Sequence, residues 1–299
     1  MQPSRRAFLM GRRPVLTPWA TFLQRLGLSC QGAVQDLGEM GGEGPRALLT
    51  PVREADVAHA RTLCAEYGVV MALDDAQGPF EPAYGPLLRL DPSRLAGLAR
   101  LTGPTPRWRA QPGVPLAALA LAGLTQFDGL PGAMTLAQWL AAPALWPTGQ
   151  CAASGVLAVD LVLADGVEET LGPFGAADVQ PLRSATVQRL VPSLFQLSGG
   201  AFATDYRPGL RWPARYRLDA LAPEAPATVN LAHLLLGHGG TLAWVQSVTL
   251  EARPALATDA LPVDPGASPQ TVSQRRIKAL FDPYGRFPEF QDSPNSDNL

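Results

Sequence analysis

A run of small residues and one histidine is the most chemically suggestive stretch of this sequence. Gly237, His238, Gly240 and Thr241 follow an apolar run and precede an alternating one, so we predict a tight turn between two buried elements. Small residues let a ligand approach the backbone N–H groups closely, and Thr241 adds a hydroxyl. The turn can therefore supply several hydrogen-bond donors at one place. A purely structural helix stop and turn is the alternative.

The other residue types that carry chemistry form no catalytic pattern. Neither HExxH, CxxC nor GxSxG occurs, so a zinc site, a disulfide framework and a serine-hydrolase elbow are not expected. No general base can be assigned, because His233 lies in an apolar run and is predicted to be a packed structural residue. The chain's histidines and cysteines are His59, His233, His238, Cys30, Cys64 and Cys151.

Composition excludes several classes of protein. The chain has 299 residues, 46% hydrophobic and 17% charged, with a net charge of -2. This balance does not fit disorder or a nucleic-acid-binding surface. No apolar run approaches the roughly 18 residues that would cross a membrane. Arg5 and Arg6 resemble the start of a twin-arginine signal, but no apolar region follows them, and we expect a cytoplasmic protein with reduced thiols.

The elements that must position these residues are short and mixed in type. Thirty prolines and 29 glycines punctuate the chain, which rules out long helical bundles and favours an α+β architecture. Hydrophobic periodicity predicts helices at 18–26, 51–68, 115–122 and 231–236, a helical turn at 92–101, and strands at 69–73, 87–91, 108–111, 156–163, 167–171 and 241–251. The polar tail, 289–299, is predicted to be disordered.

Five segments, taken in order, carry a resemblance to a known family. They are Leu-Arg-Leu-Asp-Pro-Ser-Arg-Leu at 88–95, Gln-Pro-Gly-Val-Pro-Leu at 111–116, Val-Asp-Leu-Val-Leu-Ala-Asp-Gly at 159–166, Gly-His-Gly-Gly-Thr-Leu at 237–242, and Lys-Ala-Leu-Phe-Asp-Pro-Tyr-Gly at 278–285. Their order resembles the flavin-binding domain of the FAD-linked oxidases of the vanillyl-alcohol oxidase type. The flavin subunits of glycolate oxidase and other 2-hydroxy-acid dehydrogenases share this domain.

This resemblance implies a fold, a cofactor and a reaction class. The fold is a PCMH-type FAD-binding fold of two α+β subdomains, and the substrate-cap domain is missing. FAD would be held noncovalently, since no histidine occurs near residues 73–78. The chain would be an oxidoreductase subunit acting with a partner on a 2-hydroxy acid or similar small substrate. Cofactor-binding candidates are Gly113, Thr135, Ser154, Gly155, Gly237, His238, Gly240 and Thr241.

The implied domain organisation follows the same resemblance. An N-terminal arm and short helix occupy 1–45, and the FAD-binding-type domain occupies 46–255 with its two subdomains divided near 130. A closing segment follows at 256–288. The small-residue turns near 113, 155 and 237–241 are predicted to converge on one cleft sized for a dinucleotide.

Departures from the family pattern support a second hypothesis. Asp74, Asp75 and Ala76 stand where the family has phosphate-binding glycines, and two carboxylates repel a diphosphate. The second phosphate loop, at Thr135 to Gln138, also lacks glycines. An Arg cluster at 211, 215 and 217 could hold an anion or be a solvated loop. The alternative function is therefore an FAD-free, degenerate member that acts as a scaffold or binding partner in a redox complex.

Overall fold

A computed structural model describes residues 16–39, 42–76, 85–143, 146–175, 181–200, 209–255 and 271–289. Its helices are α1 (Pro18–Ser29), α2 (Glu54–Tyr67), α3 (Leu116–Leu121), α4 (Leu136–Ala141), α5 (Ala185–Gly199) and α6 (Thr271–Phe281). Its strands are β1 (Ala33–Glu39), β2 (Pro45–Thr50), β3 (Val70–Leu73), β4 (Leu87–Leu90), β5 (Leu98–Leu101), β6 (Arg107–Ala110), β7 (Val156–Val162), β8 (Glu168–Leu171) and β9 (Trp244–Glu251). The predicted α+β class is confirmed.

Local sequence signals explain where the first two helices begin and end. Thr17 caps α1, because its hydroxyl accepts from the backbone N–H of Ala20 at 3.1 Å, and Pro18 follows in the first turn. Helix α2 ends at Gly68, whose φ of 66° is the left-handed conformation typical of a helix C-terminus. Both predicted helices are thus confirmed, although α1 continues past the predicted end at 26 to Ser29.

The first sheet is small and has the order β1-β2-β4-β3. Strands β2, β4 and β3 run parallel to one another, and β1 adds antiparallel at the outer edge. Helices α1 and α2 contact each other, and apolar residues such as Phe22, Leu49, Leu63 and Leu88 form its core. Helix α2 returns the chain to β3, the short crossover that parallel pairing requires.

The second sheet is larger, with the order β5-β6-β9-β7-β8 and antiparallel pairing throughout. Its core joins α3, α4 and α5 with the apolar run before residue 237. The last strand of the first sheet ends at Leu90 and the first strand of the second begins at Leu98. The predicted domain boundaries stay a prediction, and residue 130 lies within the segment that builds the second sheet's core.

The closing segment joins the two sheets. Lys278 on α6 pairs with Asp282, and its Nζ donates to the carbonyls of Thr241 at 2.9 Å and Phe287 at 3.1 Å. The chain then reaches the edge of the first sheet, where the N–H of Met71 donates to the carbonyl of Arg286 at 2.9 Å. A buried ammonium is stable only when its donors are satisfied, so these bonds hold the segment in one position.

Two predicted elements differ in the structure. The predicted helical turn at 92–101 is wrong beyond its first residues: Pro92–Arg94 form a 3₁₀ turn, but Leu98–Leu101 pair with β6 as a strand. Sheet pairing overrides local helical periodicity there. The apolar helix at 231–236 is a 3₁₀ helix, Leu231–Leu235, capped by the Asn230 side chain. Arg5, Arg6, residues 256–270 and residues 290–299 lie outside the described residues.

Candidate functional site

The turn at 237–241 lies where the two sheets meet, and most of its backbone donors are already bonded. The N–H of Gly237 donates to the carbonyl of Leu140 at 2.8 Å, and that of Gly239 donates to the carbonyl of Ala141 at 3.0 Å. Those of His238 and Thr241 donate within the turn region at 3.2 Å each. The turn is therefore fixed onto the C-terminal end of α4 by its own amides.

Gly240 faces the first sheet across a small cavity, which we call the His238 cavity. An added Cβ at Gly240 would lie 3.0 Å from the Cβ of Leu73, and the φ of Gly240 is +72°. The cavity has a volume of about 10 Å³, and its lining includes Leu73, Ala137, His238, Gly240 and Trp244. That volume suits about one water molecule. It is far below the roughly 300 Å³ with which ligand pockets begin.

His238 contributes an imidazole that is buried in this cavity. Its side chain makes no hydrogen bond with the residues that the structure describes, and its Nδ1 is fully enclosed. Burial, with a smaller effect of the Arg215 charge, lowers the pKa of His238 to about 3. The ring is therefore neutral at physiological pH. An unpaired buried polar atom costs about 1–3 kcal/mol, so the unpaired imidazole of His238 lowers the stability of the fold.

Thr135, the first residue of the predicted second phosphate loop, is instead the N-cap of α4. Its hydroxyl accepts from the N–H of Gln138 at 3.3 Å, and its own N–H donates to the Gln138 side chain at 2.9 Å. The N–H groups of Leu136 and Ala137 donate to the carbonyls of Val114 and Pro112, each at 2.9 Å. The capping box satisfies two of the loop's four amides, and the carbonyls of Val114 and Pro112 satisfy the other two. None of them is free to bind a phosphate.

Gly113 lies beside α4 and serves packing. Its N–H donates to the carbonyl of Leu95 at 2.8 Å, and an added Cβ would overlap the carbonyl of Pro92. The neighbouring Pro112 carbonyl accepts from Ala137, which lines the His238 cavity. The turn at 113 therefore contacts the N-terminal end of α4, through Ala137, and the turn at 237–241 contacts its C-terminal end, through Leu140 and Ala141.

Ser154 and Gly155 lie at the opposite end of the second sheet. The carbonyl of Gly155 accepts from the N–H of Glu251 at 2.9 Å, whereas the turn at 237–241 precedes Trp244, at the other end of the same eight-residue strand. A strand of this length spans about 24 Å. The predicted convergence of all three turns is therefore wrong for the turn at 155. The Ser154 hydroxyl accepts from Val156 N–H at 3.2 Å and so shapes a local turn.

The start of the loop after β3 carries two carboxylates, those of Asp74 and Asp75. Asp74 pairs with Arg89, with 2.7 Å between Oδ1 and Nε. Burial raises the pKa of Asp74, and the Arg89 charge opposes that shift. The neighbouring Asp75 adopts a φ of +55°, which is uncommon for a residue with a side chain. Gln77 and Gly78, the rest of the predicted loop, lie outside the described residues.

The Arg cluster is partly a structural anchor. Arg217 is fully buried and forms a bidentate pair with Asp219, with distances of 2.8 and 2.6 Å. It also donates to the carbonyls of Trp146 and Pro147, at 2.8 and 2.9 Å, and Asp219 accepts from the Gly149 N–H at 2.8 Å. These bonds satisfy both charges, as a buried ion pair requires. The sequence left two interpretations of the Arg cluster, a solvated loop and an anion-binding group. Because both of its charges are satisfied inside the protein, the Arg217–Asp219 pair agrees with neither.

Arg215 lies between this anchor and the cleft. Its Nη2 donates to the carbonyl of Ala141 at 2.9 Å, the same carbonyl that accepts from Gly239. Burial lowers the pKa of Arg215 to about 10, so it remains charged at neutral pH. Its bond to α4 and its effect on His238 make Arg215 part of the junction.

His233 is packed, as predicted from its apolar surroundings. Its Nε2 lies 2.9 Å from the carbonyl oxygen of Val156, and burial lowers its pKa to about 4. The sequence did not indicate the other two buried polar groups at the junction. Lys278 and the Tyr216 hydroxyl, which lies 2.8 Å from the Thr241 hydroxyl, both fix the turn. Lys278 begins the 278–285 segment of the family resemblance, which was its sequence signal, whereas Tyr216 lies between two arginines and carried none.

Two features are absent from the described residues, a metal-binding cluster and a membrane-spanning helix. These residues contain no group of three or more histidine, cysteine or carboxylate side chains that could hold a metal ion. None of their helices combines the length and the apolar character that crossing a bilayer would demand. Both statements apply to the ranges given above and to no other part of the chain.

Comparisons with known proteins give structural similarities only. No protein-family model and no curated protein matches the sequence. The fold is similar to a VAO-type flavoprotein from Myceliophthora thermophila, with a TM-score of 0.40, 15% identity, and coverage of 72% of this chain and 33% of that one. It is also similar to a glucooligosaccharide oxidase from Acremonium strictum, with a TM-score of 0.45, 13% identity, and coverage of 78% and 42%.

A third similar structure is a BBE-like protein from Physcomitrella patens, with a TM-score of 0.45, 14% identity, and coverage of 79% of this chain and 45% of that one. The chain thus spans less than half the length of these structures. The VAO-type flavoprotein found here is of the same family that the sequence motifs resemble. At this level of identity, the similarity concerns the fold alone.

The residues present do not fit the diphosphate of FAD. Among the predicted cofactor-binding residues, the backbone N–H groups of Gly113, Thr135, Gly155, Gly237, His238 and Thr241 all donate to protein acceptors. The His238 cavity between the sheets has room for about one water molecule. Asp74 stands in the loop where the family resemblance predicts the first phosphate site. A diphosphate needs free donors and little negative charge nearby. In the turn at 237–241, Gly240 alone keeps a backbone N–H without a protein acceptor among the described residues.

Proposed function

We propose that this chain is an FAD-free binding subunit that uses an FAD-linked oxidase type of fold as a scaffold or binding partner in a redox complex. The single observation that supports this proposal is the internal bonding of the predicted phosphate donors. The backbone N–H groups of six of the eight candidate residues donate hydrogen bonds to protein carbonyls or side chains. A diphosphate that bound to these N–H groups would have to displace their protein acceptors, and each acceptor left unpaired costs about 1–3 kcal/mol.

The separate, buried thiols agree with the cytoplasmic location that belongs to this proposal. Cys30 and Cys64 are both buried, and burial raises their pKa values to about 11 and about 12. Such thiols are protonated and unreactive. They need no oxidising compartment.

One observation favours a second candidate, an FAD-binding oxidoreductase that oxidises a 2-hydroxy acid or similar small substrate with a partner. Within the described residues, neither the Gly240 N–H nor the His238 imidazole has a hydrogen-bond partner. Both line the cavity between the sheets. A cofactor that entered this cavity would find these two polar groups available, although only one of them is a backbone donor.

The visible spectrum of the purified protein separates the two candidates. For the binding subunit we expect a colourless, folded protein whose melting temperature does not change when FAD is added. Flavin absorbance that is released on denaturation would refute this expectation and support the oxidoreductase. A variant carrying Asp74→Gly, Asp75→Gly and Ala76→Gly tests the obstacle directly, because flavin binding in that variant alone would show that the native loop prevents it.

A further inference from the structure

A second cavity, of about 90 Å³, lies between α2, the β7–β8 hairpin and the start of β9. We call it the α2 cavity. Its floor is apolar and consists of the buried side chains of Val57, Met71, Val162 and Trp244. The volume exceeds the roughly 10–15 Å³ that one water molecule needs. The α2 cavity can therefore hold a ligand of several heavy atoms, with an aliphatic part on this floor.

Arg61 places a positive charge at one end of the α2 cavity. Its guanidinium rests on Gly166 in the hairpin, where an added Cβ would overlap it and where φ is +87°. Its Nη1 donates to the carbonyl of Ala164 at 3.4 Å, a long bond to a neutral acceptor. No carboxylate of the described residues lies within ion-pair distance of Arg61. The hairpin thus positions a guanidinium whose charge is left for a ligand.

Carboxylates occupy the remaining rim of the α2 cavity. Glu54 lies seven residues before Arg61, which is two turns along the same face of α2 and about 10 Å along its axis. Glu168 stands on the hairpin wall. Each accepts from a neutral amide, Glu54 from Gln111 and Glu168 from Gln246, at 3.2 Å in both bonds. Neutral donors orient these carboxylates without cancelling their charge.

From this arrangement we propose that the α2 cavity binds an elongated zwitterion of the ω-amino acid type. Its carboxylate binds the planar fork of Arg61, which matches carboxylate geometry. Its methylene chain lies on the floor around Trp244, and its ammonium group faces Glu54 and Glu168. A free ω-amino acid and the C-terminal lysine of a partner protein share this chemistry. The proposal is independent of whether the chain binds FAD.

Calorimetric titration of the full chain at low ionic strength tests the proposal, with 6-aminohexanoate as the probe. Hexanoate and hexylamine are the matched single-charge probes, and we expect each to bind at least about tenfold more weakly, since each leaves one end of the cavity unpaired. Nα-acetyl-lysine and its amide distinguish the sources. Binding of the free acid alone points to a lysine C-terminus, whereas binding of neither restricts the ligand to a free ω-amino acid.

Variants assign the two ends of the cavity. Arg61→Gln should reduce the affinity for 6-aminohexanoate to that for hexylamine, and Glu54→Gln should reduce it toward that for hexanoate. Arg94→Gln, at an exposed arginine remote from the cavity wall, should leave the affinity unchanged, and circular dichroism confirms folding. Equal binding of 6-aminohexanoate and hexylamine to the unmodified chain would overturn the proposal, and so would full affinity in a folded Arg61→Gln variant.

Discussion

Gly240→Ala tests whether the junction between the sheets is closed in solution. The substitution has two costs. Placing an L-residue at a φ of +72° costs about 1–2 kcal/mol. The new methyl group also lies 3.0 Å from the Cβ of Leu73, and overpacking of this kind costs about 1–3 kcal/mol. We therefore expect a total loss of about 2–5 kcal/mol in the free energy of unfolding.

Gly68→Ala is the matched control for this experiment. Gly68 has a φ of +66° at the C-terminus of α2, and an added Cβ there meets nothing within 4 Å. Gly68→Ala has the cost of the left-handed backbone without any new side-chain contact, so we expect a loss of about 1–2 kcal/mol in the free energy of unfolding. Urea unfolding followed by tryptophan fluorescence and circular dichroism measures both variants. Equal losses for the two variants would refute the closed junction, because the contact with Leu73 would then be absent in solution.

Four further predictions concern buried polar groups and a glycine. His238→Leu should stabilise the chain by about 1–3 kcal/mol in urea unfolding at pH 7, because it removes an unpaired imidazole; a loss of stability would show that the ring is bonded in solution. Between pH 7 and pH 5 the chain should lose up to about 2 kcal/mol for each of His233 and His238. Their folded pKa values, about 4 and about 3, lie below the ordinary 6.5. The unfolded state therefore takes up protons first, and stability is lost as the pH falls below about 6.5. This loss should be halved in His238→Leu, and an unchanged pH dependence in that variant would contradict the buried, neutral state of His238. Arg217→Met should cost about 3–5 kcal/mol because it leaves the Asp219 charge buried and unpaired. A Met–Leu pair at 217 and 219 should recover only part of that loss, because the Gly149 N–H and the carbonyls of Trp146 and Pro147 then lose their partners. A small effect of the single change would mean that the pair is solvated. Gly155→Ala should destabilise the chain, since its Cβ would overlap the Glu251 carbonyl, and should leave the affinity for 6-aminohexanoate unchanged; loss of that affinity would show coupling across the sheet.

The sequence predicted the elements well where period and cap residues agreed. Helix α2 combined apolar spacing with a terminal glycine, and the β7–β8 hairpin combined an apolar run with an Asp-Gly turn. The prediction failed at 98–101, because pairing with β6 is a long-range contact that leaves no local signal. The order of the strands within each sheet could not be derived from local pattern for the same reason.

The site was harder to predict, because small residues carry little information about their partners. A glycine that approaches a phosphate and a glycine that approaches a carbonyl look identical in sequence. Gly113 is required by the Pro92 carbonyl and Gly155 by the Glu251 carbonyl, so neither needs a cofactor to explain it. Thr135 likewise matches a phosphate loop in sequence, but its hydroxyl caps α4.

If the chain is the FAD-free subunit that we propose, the same bonds explain how its fold remains stable without a nucleotide. A cofactor-binding loop leaves amides unpaired in the empty protein, and those amides must find other acceptors if the cofactor is lost. Here the capping box of Thr135 and Gln138 supplies acceptors for the second loop, and the end of α4 supplies them for Gly237 and Gly239. Lys278 then joins the closing segment to the Thr241 carbonyl. Among the described residues of this junction, these bonds leave the His238 imidazole and the Gly240 N–H without a partner, and substitution of His238 is therefore the side-chain change expected to stabilise the fold.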